Sequence, residues 1–446
     1  MSELFFFLSL GCSKNLVDSE EIIGELHAEG YKLTSRVEDA SFAIINTCAF
    51  LGEARAEAID SINSVTQHKN KKNSSLKKII VVGCLARYYS KNAFHKIVPE
   101  VDLLVPPDQY RSIPFFLKGK AISNKQMQNT NNMPKKRFLT ASPHSVYLKI
   151  AEGCNNRCSY CLIPSLRGKL HSRKMDEIIS EAKVLQKLGA REINLVAQDT
   201  TAYGLDLYGR EMLHVLLKKI SRVEGIDWIR LLYTNPARIT SSLLNVISQE
   251  SRICKYIDLP LQHINSDILK SMGRKITSEK VYNLYDDIRD KIPGVVLRTT
   301  VMVGFPGEGE KEFDELQGFL KVKPFESVGG FTFSPEKRTA AFSLQPRVAK
   351  SVARKRLQIL MEQQKKISRS FNRLLLGKEC RVLVDSVHKG RKTISGRLYS
   401  QAPDVDGKVT VSGISKAASG DFIQAKISGI GAYELMGELS SYEFSK

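Results

Sequence analysis

The sequence predicts an α/β protein in three parts. An N-terminal domain of parallel βα units comes first, then an open barrel of six βα units, then a small antiparallel β-barrel. Three observations predict this. Cys12, Cys48 and Cys84 each follow an apolar run of strand length and are spaced 36 residues apart, about one βα unit per step. From Ser145 onward, strand-like runs alternate with amphipathic helical stretches, the pattern of a parallel barrel. Beyond Gly377 the apolar period becomes two, broken by Gly and Asp turns, as in a small β-barrel.

In the first part, residues 1–118, Phe5 to Leu10 reads as a buried strand, as do FAIINT before Cys48 and KKIIVVG before Cys84. Helical sequence follows each cysteine: NLVDSEEIIGELHAEG, EARAEAIDSINSV, and a weaker stretch from Ala86. Strands of a parallel sheet end on one edge, where ligands bind. The spacing therefore predicts that Cys12, Cys48 and Cys84 converge. Residues 119–142, polar and rich in Asn and Lys, read as a linker.

Residues 143–376 hold six strand candidates: VYLKIAEG, EINLVAQD, WIRLLYTN, YIDLPLQ, VLRTTVMVGF and SVGGFTFSP. The helical stretch DEIISEAKVLQKLG carries an apolar face at Ile178, Ile179, Ala182 and Leu185. A basic helical segment, 346–377, closes this part, and its charges read as a solvated face. Residues 377–446 hold five short alternating runs: RVLVDSV, TISGRLYS, KVTVSG, DFIQAKISG and YELMGEL.

Composition narrows the class. A 42% hydrophobic and 26% charged chain of 446 residues is that of a soluble globular protein. A net charge of +20 favours an anionic partner, nucleic acid or a nucleoprotein particle. MSELFFFLSLGC lacks a basic leader and is too short for a secretory core. No run approaches the roughly 18 apolar residues of a membrane span. The expectation is a cytoplasmic protein with no membrane partner. There, eight cysteines point to metal or catalysis rather than disulfides.

AEGCNNRCSYC, 151–161, concentrates that chemistry in Cys154, Cys158 and Cys161, on the loop after the first barrel strand. Zinc takes four ligands in a structural site, and His171 could complete a Cys3His set. The corresponding alternative is a non-enzymatic, zinc-dependent RNA-binding protein. A 4Fe-4S cluster on three cysteines instead leaves one iron open, which the amine and carboxylate of S-adenosylmethionine can chelate. An electron from the reduced cluster then cleaves the sulfonium to a 5'-deoxyadenosyl radical. Cys254 and Cys380, beside strand-like runs, read as structural.

The CxxxCxxC spacing, with Tyr160 before the last cysteine, resembles the radical S-adenosylmethionine superfamily. The resemblance implies a partial (βα)6 barrel, Tyr160 near the adenine, and VMVGFPGE (301–308) on the adenine and ribose side. There Gly304 and Gly307 would allow close backbone approach, while Gln198 and Asp199 would meet the methionine end. With the second three-Cys set and the terminal barrel, the whole chain resembles the methylthiotransferases. That family implies a second 4Fe-4S cluster on Cys12, Cys48 and Cys84 for sulfur delivery, and a TRAM-like C-terminal barrel. It also implies S-adenosylmethionine as both methyl donor and radical source. LGCSKNLVDSE, the 151–173 stretch, AQDTTAYG and IDLPLQH resemble the branch that modifies the β-carbon of an aspartate in ribosomal protein S-twelve. The other branch modifies tRNA adenosine, N6-isopentenyl or threonylcarbamoyl. Two stretches depart from the first pattern: Ser13 stands in place of a proline, and YTNP (233–236) in place of a Tyr-Pro-rich stretch. The implied partners are protein S-twelve, free or in the small subunit, rRNA contact, and a reductant such as a flavodoxin or ferredoxin.

Overall fold

The computed structural model describes residues 3–69, 71–119, 136–413 and 416–443. Most of the expected linker, 120–135, lies outside the described residues.

Strands β1 (Leu4–Ser9), β2 (Lys32–Thr34), β3 (Phe42–Thr47), β4 (Lys78–Gly83) and β5 (Leu103–Val105) form a parallel sheet in the order β2-β1-β3-β4-β5. Alternate residues of β3 and β4 enter two different cores. Ile44, Ile80 and Val82 pack with Ile22, Ile23 and Leu26 of the helix Ser13–Ala28. Ala43, Ile45, Ile79 and Val81 pack with Ala58, Ile62 and Val65 of the helix Gly52–Lys69. Burial on both faces explains why these two strands read as continuous apolar runs. Strand β1 begins one residue before the expected run, and of its side chains Phe5 alone is fully buried.

The central sheet contains β6 (Ser145–Lys149), β9 (Glu192–Val196), β10 (Trp228–Leu231), β11 (Ile253–Asp258), β12 (Val296–Val303) and β13 (Ser327–Thr332). All pairs are parallel and neighbours follow chain order, so the sheet is an open six-stranded barrel. A short antiparallel ribbon, β7 (Ala151–Glu152) with β8 (His171–Ser172), leaves the rim after β6. Val146, Leu148, Ile193, Leu195, Ile229, Leu231 and Leu297 face the outer helices. One of these, Met175–Lys187, buries Ile178, Ala182 and Leu185 as its spacing predicts. It places Asp176 and Glu177 in its first turn and Lys187 in its last, complementing the helix dipole. The alternate strand residues Tyr147, Val196, Trp228, Cys254 and Tyr256 point into the concave side. There they meet Val17 from the N-terminal domain and Leu383, Ala402 and Phe422 from the C-terminal barrel. The expected basic helix spans Lys350–Arg373 and covers β13. Most of its charges are exposed, but Arg356 is buried and reaches Glu308 Oε1 at 2.7 Å.

Strands β14 (Glu379–His388), β15 (Thr393–Arg397), β16 (Val409–Ser412), β17 (Phe422–Ile430) and β18 (Leu435–Glu443) close a barrel in the order β14-β15-β16-β18-β17. It is antiparallel except for β16 and β18, which pair parallel. The small antiparallel barrel expected from the sequence is present, and its one parallel pair follows from parity: a closed ring of five strands cannot alternate direction all the way round.

A buried ion network fixes this barrel to the central sheet. Glu192 accepts from Arg230 Nε at 3.0 Å and from Ser145 Oγ at 2.7 Å, and pairs with Arg397 of β15 at 2.7 Å. Arg397 also donates twice to Asp385 at 2.9 Å. Burial opposes ionisation of Glu192, but Arg397 and Arg230 outweigh it and hold its pKa down at about 2. Its stabilising contribution is therefore complete above the unfolded value of about 4.3 and is lost as pH falls toward about 2. Trp228, the sole tryptophan, packs edge-on against Phe422 at 4.9 Å and reports this interface by fluorescence. Glu192→Gln should leave two buried guanidiniums short of charge and cost about 3–5 kcal/mol at neutral pH, read as a lower urea midpoint. The difference from the unsubstituted chain should shrink between about pH 4 and pH 2.

Candidate functional site

The three N-terminal cysteines stand at the C-terminal ends of adjacent strands. Cys12 caps the helix Ser13–Ala28, Cys48 follows β3, and Cys84 follows β4 and opens the helix Cys84–Tyr88. The sequence requires glycine twice here. Gly11 has φ +95, and a Cβ on it would lie 2.8 Å from Cys48 Cβ. Gly83 has φ +92, and a Cβ would lie 2.4 Å from Asn46 Oδ1. Both positions thus combine a left-handed backbone with a close neighbour, and glycine alone meets both demands. Asn15 donates to the Leu10 and Thr47 carbonyls, each at 3.0 Å, and Asn46 donates to Asn15 O at 2.9 Å. Thr47 Oγ1 donates to Val82 O at 2.6 Å. These bonds tie the three strand ends together.

The electrostatics of the three thiols differ. Burial disfavours a Cys12 thiolate, but Lys14, Arg167 and the N–H groups of Asn15 and Lys14 outweigh it and lower its pKa. Burial raises Cys48 and pushes Cys84 up to about 11, although Arg167 donates to Cys84 Sγ at 3.2 Å. Cys12 retains accessible surface although desolvation is the largest influence on it.

The second set lies on the rim loop between β7 and β8. Gly168 O accepts from Cys154 N at 3.1 Å, and Cys158 O from Cys161 N at 3.1 Å. Burial raises Cys154 and pushes Cys161 up to about 12. Tyr160 packs edge-on to Phe305 at 6.5 Å, beside Ile268, Met272 and Met302. Asp199 accepts from Asn156 Nδ2 at 2.7 Å and Asn235 Nδ2 at 3.2 Å, and from Thr201 and the Ala202 N–H, so both its oxygens are engaged. It anchors the cysteine loop through Asn156. Gln198 donates to Glu152, while its Oε1 is buried without a partner among the described residues. Gly304 has φ +75 and lies where a Cβ would meet Ala353 Cβ at 2.5 Å, so the long helix claims its side-chain space. Gly307 has φ +88, and a Cβ on it would meet only Ile268 Cδ1, at 3.9 Å. His171 is exposed in β8, paired in register with Glu152. Cys254 is buried inside the barrel and Cys380 is half-buried in β14.

Between the two sets runs a buried network to which the sequence reading assigned no roles. Arg167 Nη1 donates to Asp18 Oδ2 at 2.6 Å and to Glu152 Oε2 at 3.2 Å, Nη2 to Asn15 Oδ1, and Nε to Cys84. Lys149 donates to Asp18 and, at 2.8 Å, to Glu152. Burial alone would raise the Glu152 pKa, but Lys149 and Arg167 hold it well below the carboxylate range. Ser13 Oγ lies 3.3 Å from the Tyr233 hydroxyl, so the two sequence departures touch each other. The available signal was the density of polar residues in SKNLVDSEE, where a surface helix would alternate.

The donor sets do not suit a single ion. Among the described residues, no three His, Cys, Asp or Glu side chains gather closely enough to hold one metal ion. Tetrahedral zinc, with Zn–S near 2.3 Å, needs such a group. A 4Fe-4S cluster gives each thiolate its own iron and accepts a wider set. A cavity of about 940 Å³ lies away from the two three-cysteine sets, where the start of β12 and β13 meets Tyr399 and Tyr433.

Comparison with known proteins agrees. Residues 148–320 match the radical SAM superfamily, 4–106 an uncharacterized protein family (UPF0004), and 376–439 the TRAM domain. The ribosomal protein uS12 methylthiotransferase RimO of Acetivibrio thermocellus is 41% identical, over 97% of each chain. That of Thermoanaerobacter sp. is 43% identical, over 97% of this chain and 98% of the relative. The chain belongs to the RimO family. It is thereby a radical SAM enzyme of methylthiotransferase type, and the zinc-dependent, non-enzymatic alternative is set aside. Among solved structures, the radical S-adenosylmethionine methyltransferase TsrM of Kitasatospora setae, with cobalamin and a 4Fe-4S cluster bound, aligns with a TM-score of 0.56 at 12% identity, over 77% of each chain. The cobalamin-dependent radical enzyme OxsB aligns with a TM-score of 0.51 at 12% identity, over 81% of this chain and 56% of that one. Both likenesses concern the fold. No helix among the described residues is long and apolar enough to cross a membrane.

Arg167→Met should strip Asp18 and Glu152 of one of their two cations and cost about 3–5 kcal/mol. Arg167→Lys should restore little of it, because a single ammonium cannot reach four partners in a plane. Chemical denaturation of both variants at neutral pH checks this.

Proposed function

We propose that the protein transfers a methylthio group to the β-carbon of an aspartate in ribosomal protein uS12. The observation that carries this reading is the pairing of two three-cysteine sets across one interior ion network, in a chain of the RimO family. Cys154, Cys158 and Cys161 would hold the radical-generating 4Fe-4S cluster. Cys12, Cys48 and Cys84 would hold the auxiliary cluster. When bound, the clusters and S-adenosylmethionine supply the carbon radical, the sulfur and the methyl group that an unactivated C–H bond requires.

The chain's own groups orient and shield. Tyr160 and Phe305, which pack edge-on, would wall the adenine side, and Gly307 would give the backbone room beside it. Gln198 Oε1, without a partner among the described residues, would serve the methionine end as an acceptor. Asp199 holds Asn156, and through it the cysteine loop. Arg167 stabilises charge on Cys84. Residues 1–118, 143–376 and 377–446 would form the three working domains. The last, TRAM-like barrel would dock the ribosomal protein, with rRNA contact where the substrate is the assembled subunit. The reaction runs in the cytoplasm with a flavodoxin- or ferredoxin-type reductant.

Anaerobic reconstitution should reach about eight irons per chain, and about four once Cys12, Cys48 and Cys84 are changed to Ala. A plateau near four irons in both proteins overturns the two-cluster reading. Mass spectrometry of uS12 and of total tRNA nucleosides, from cells with and without the gene, tests the substrate. The methylthio increment should vanish from an aspartate peptide of uS12. Loss confined to a tRNA adenosine would transfer the protein to the other branch.

A further inference from the structure

Among the described residues two lysines are buried, Lys149 and Lys14. Lys149 is neutralised by Asp18 and Glu152. Lys14 pairs with no carboxylate among the described residues. Its Nζ stands 3.4 Å from the centroid of the Tyr233 ring, two residues along the chain from Cys12. A ring face attracts an ammonium by about 0.5–2 kcal/mol but does not cancel its charge. A buried cation seated this way still demands an anion.

Tyr233 is held in this place against its backbone preference. Its φ of +58 is left-handed, a conformation that costs a non-glycine residue about 1–3 kcal/mol and that concentrates at functional sites. Its N–H donates to Asp258 Oδ2 at 2.9 Å, and its carbonyl accepts from Thr200 N at 3.0 Å and Thr200 Oγ1 at 3.1 Å. Its hydroxyl meets Ser13. The barrel rim is thus locked against the loop that carries Cys12, with the Lys14 ammonium between them.

We propose that Lys14 binds the side-chain carboxylate of the target aspartate and selects aspartate over its neutral analogue. This rests on the uS12 reading above. In aspartate the β-carbon is bonded directly to the carboxylate carbon. An ammonium next to Cys12 that grips the carboxylate therefore sets the β-carbon beside the auxiliary cysteines, within reach of sulfur. The neighbouring cations Arg167 and Lys149 are already engaged by carboxylates, whereas the nearest anion to Lys14 among the described residues is the Cys12 thiolate, whose charge a cluster iron would take up, so the ammonium is left to receive the substrate's carboxylate. A neutral amide in the same place would leave the buried ammonium unpaired, and such a mismatch discriminates strongly.

The test is calorimetric binding of full-length uS12 to the anaerobically reconstituted chain, with the target aspartate intact or replaced by asparagine. The unsubstituted chain should bind the aspartate form tighter by about tenfold or more. Lys14→Met should bind both forms alike, with unchanged iron and sulfide content, and Lys14→Arg should keep part of the preference. A preference that survives in Lys14→Met overturns the assignment. So does loss of iron or sulfide in that variant, which would make Lys14 a counter-charge for the cluster. An unsubstituted chain that binds both forms equally overturns the selectivity alone. One that binds neither overturns the uS12 reading and this inference with it.

Discussion

The guanidinium of Arg167 is the constraint on which the arrangement of the two cysteine sets depends. It is buried, and its partners come from both sides of a domain boundary: Asn15, Asp18 and Cys84 on one, Glu152 on the other. A charge in that position is tolerated only while every partner stays in place, since the cost of desolvating it is of the same order as the attraction that offsets it. Hence the N-terminal domain and the barrel rim cannot drift apart without exposing or orphaning charge. The network is a device for holding two reactive sites in register. Burial alone would favour a neutral thiol at Cys84, and Arg167 works against that tendency.

The same logic recurs at the base of the barrel. An open six-stranded sheet leaves its concave face unfilled, because its edge strands β6 and β13 do not pair with each other. The C-terminal barrel fills that face with Leu383, Ala402 and Phe422, and the N-terminal helix contributes Val17. Glu192, Arg230 and Arg397 then fix the angle at which the two barrels meet. The three parts of the chain are therefore one packed object around the barrel interior, with ion networks at its upper and lower ends and an apolar layer between them.

The cysteine spacings, the strand order and the five-stranded barrel could be read along the chain because each depends on local period and on a fixed connection rule. Cys12, Cys48 and Cys84 fell on one sheet edge because parallel strands end together. The polar partners were harder to read. Asp18, Glu152 and Arg167 are far apart in sequence, and each alone resembles a solvated charge. Gly304 shows the converse case: a glycine in a cofactor-like motif whose side-chain space is taken by Ala353 of a distant helix. Asp199 likewise stands at a strand end, as expected, yet its oxygens serve Asn156 and neighbouring donors.

By itself the sequence determined the two sets of three thiols, the parallel order of the strands that present them, and the chemistry that three thiolates without a fourth permit. These follow from residue type, period and spacing, which are properties of the chain before it folds. The tertiary structure decided what surrounds the thiols. It showed that Arg167 bridges two domains, that Lys14 lies over Tyr233 with no carboxylate partner among the described residues, and that Ser13 and Tyr233 meet. Those facts depend on which distant segments share a low-dielectric space, and a buried charge acquires its role from the partners that reach it there.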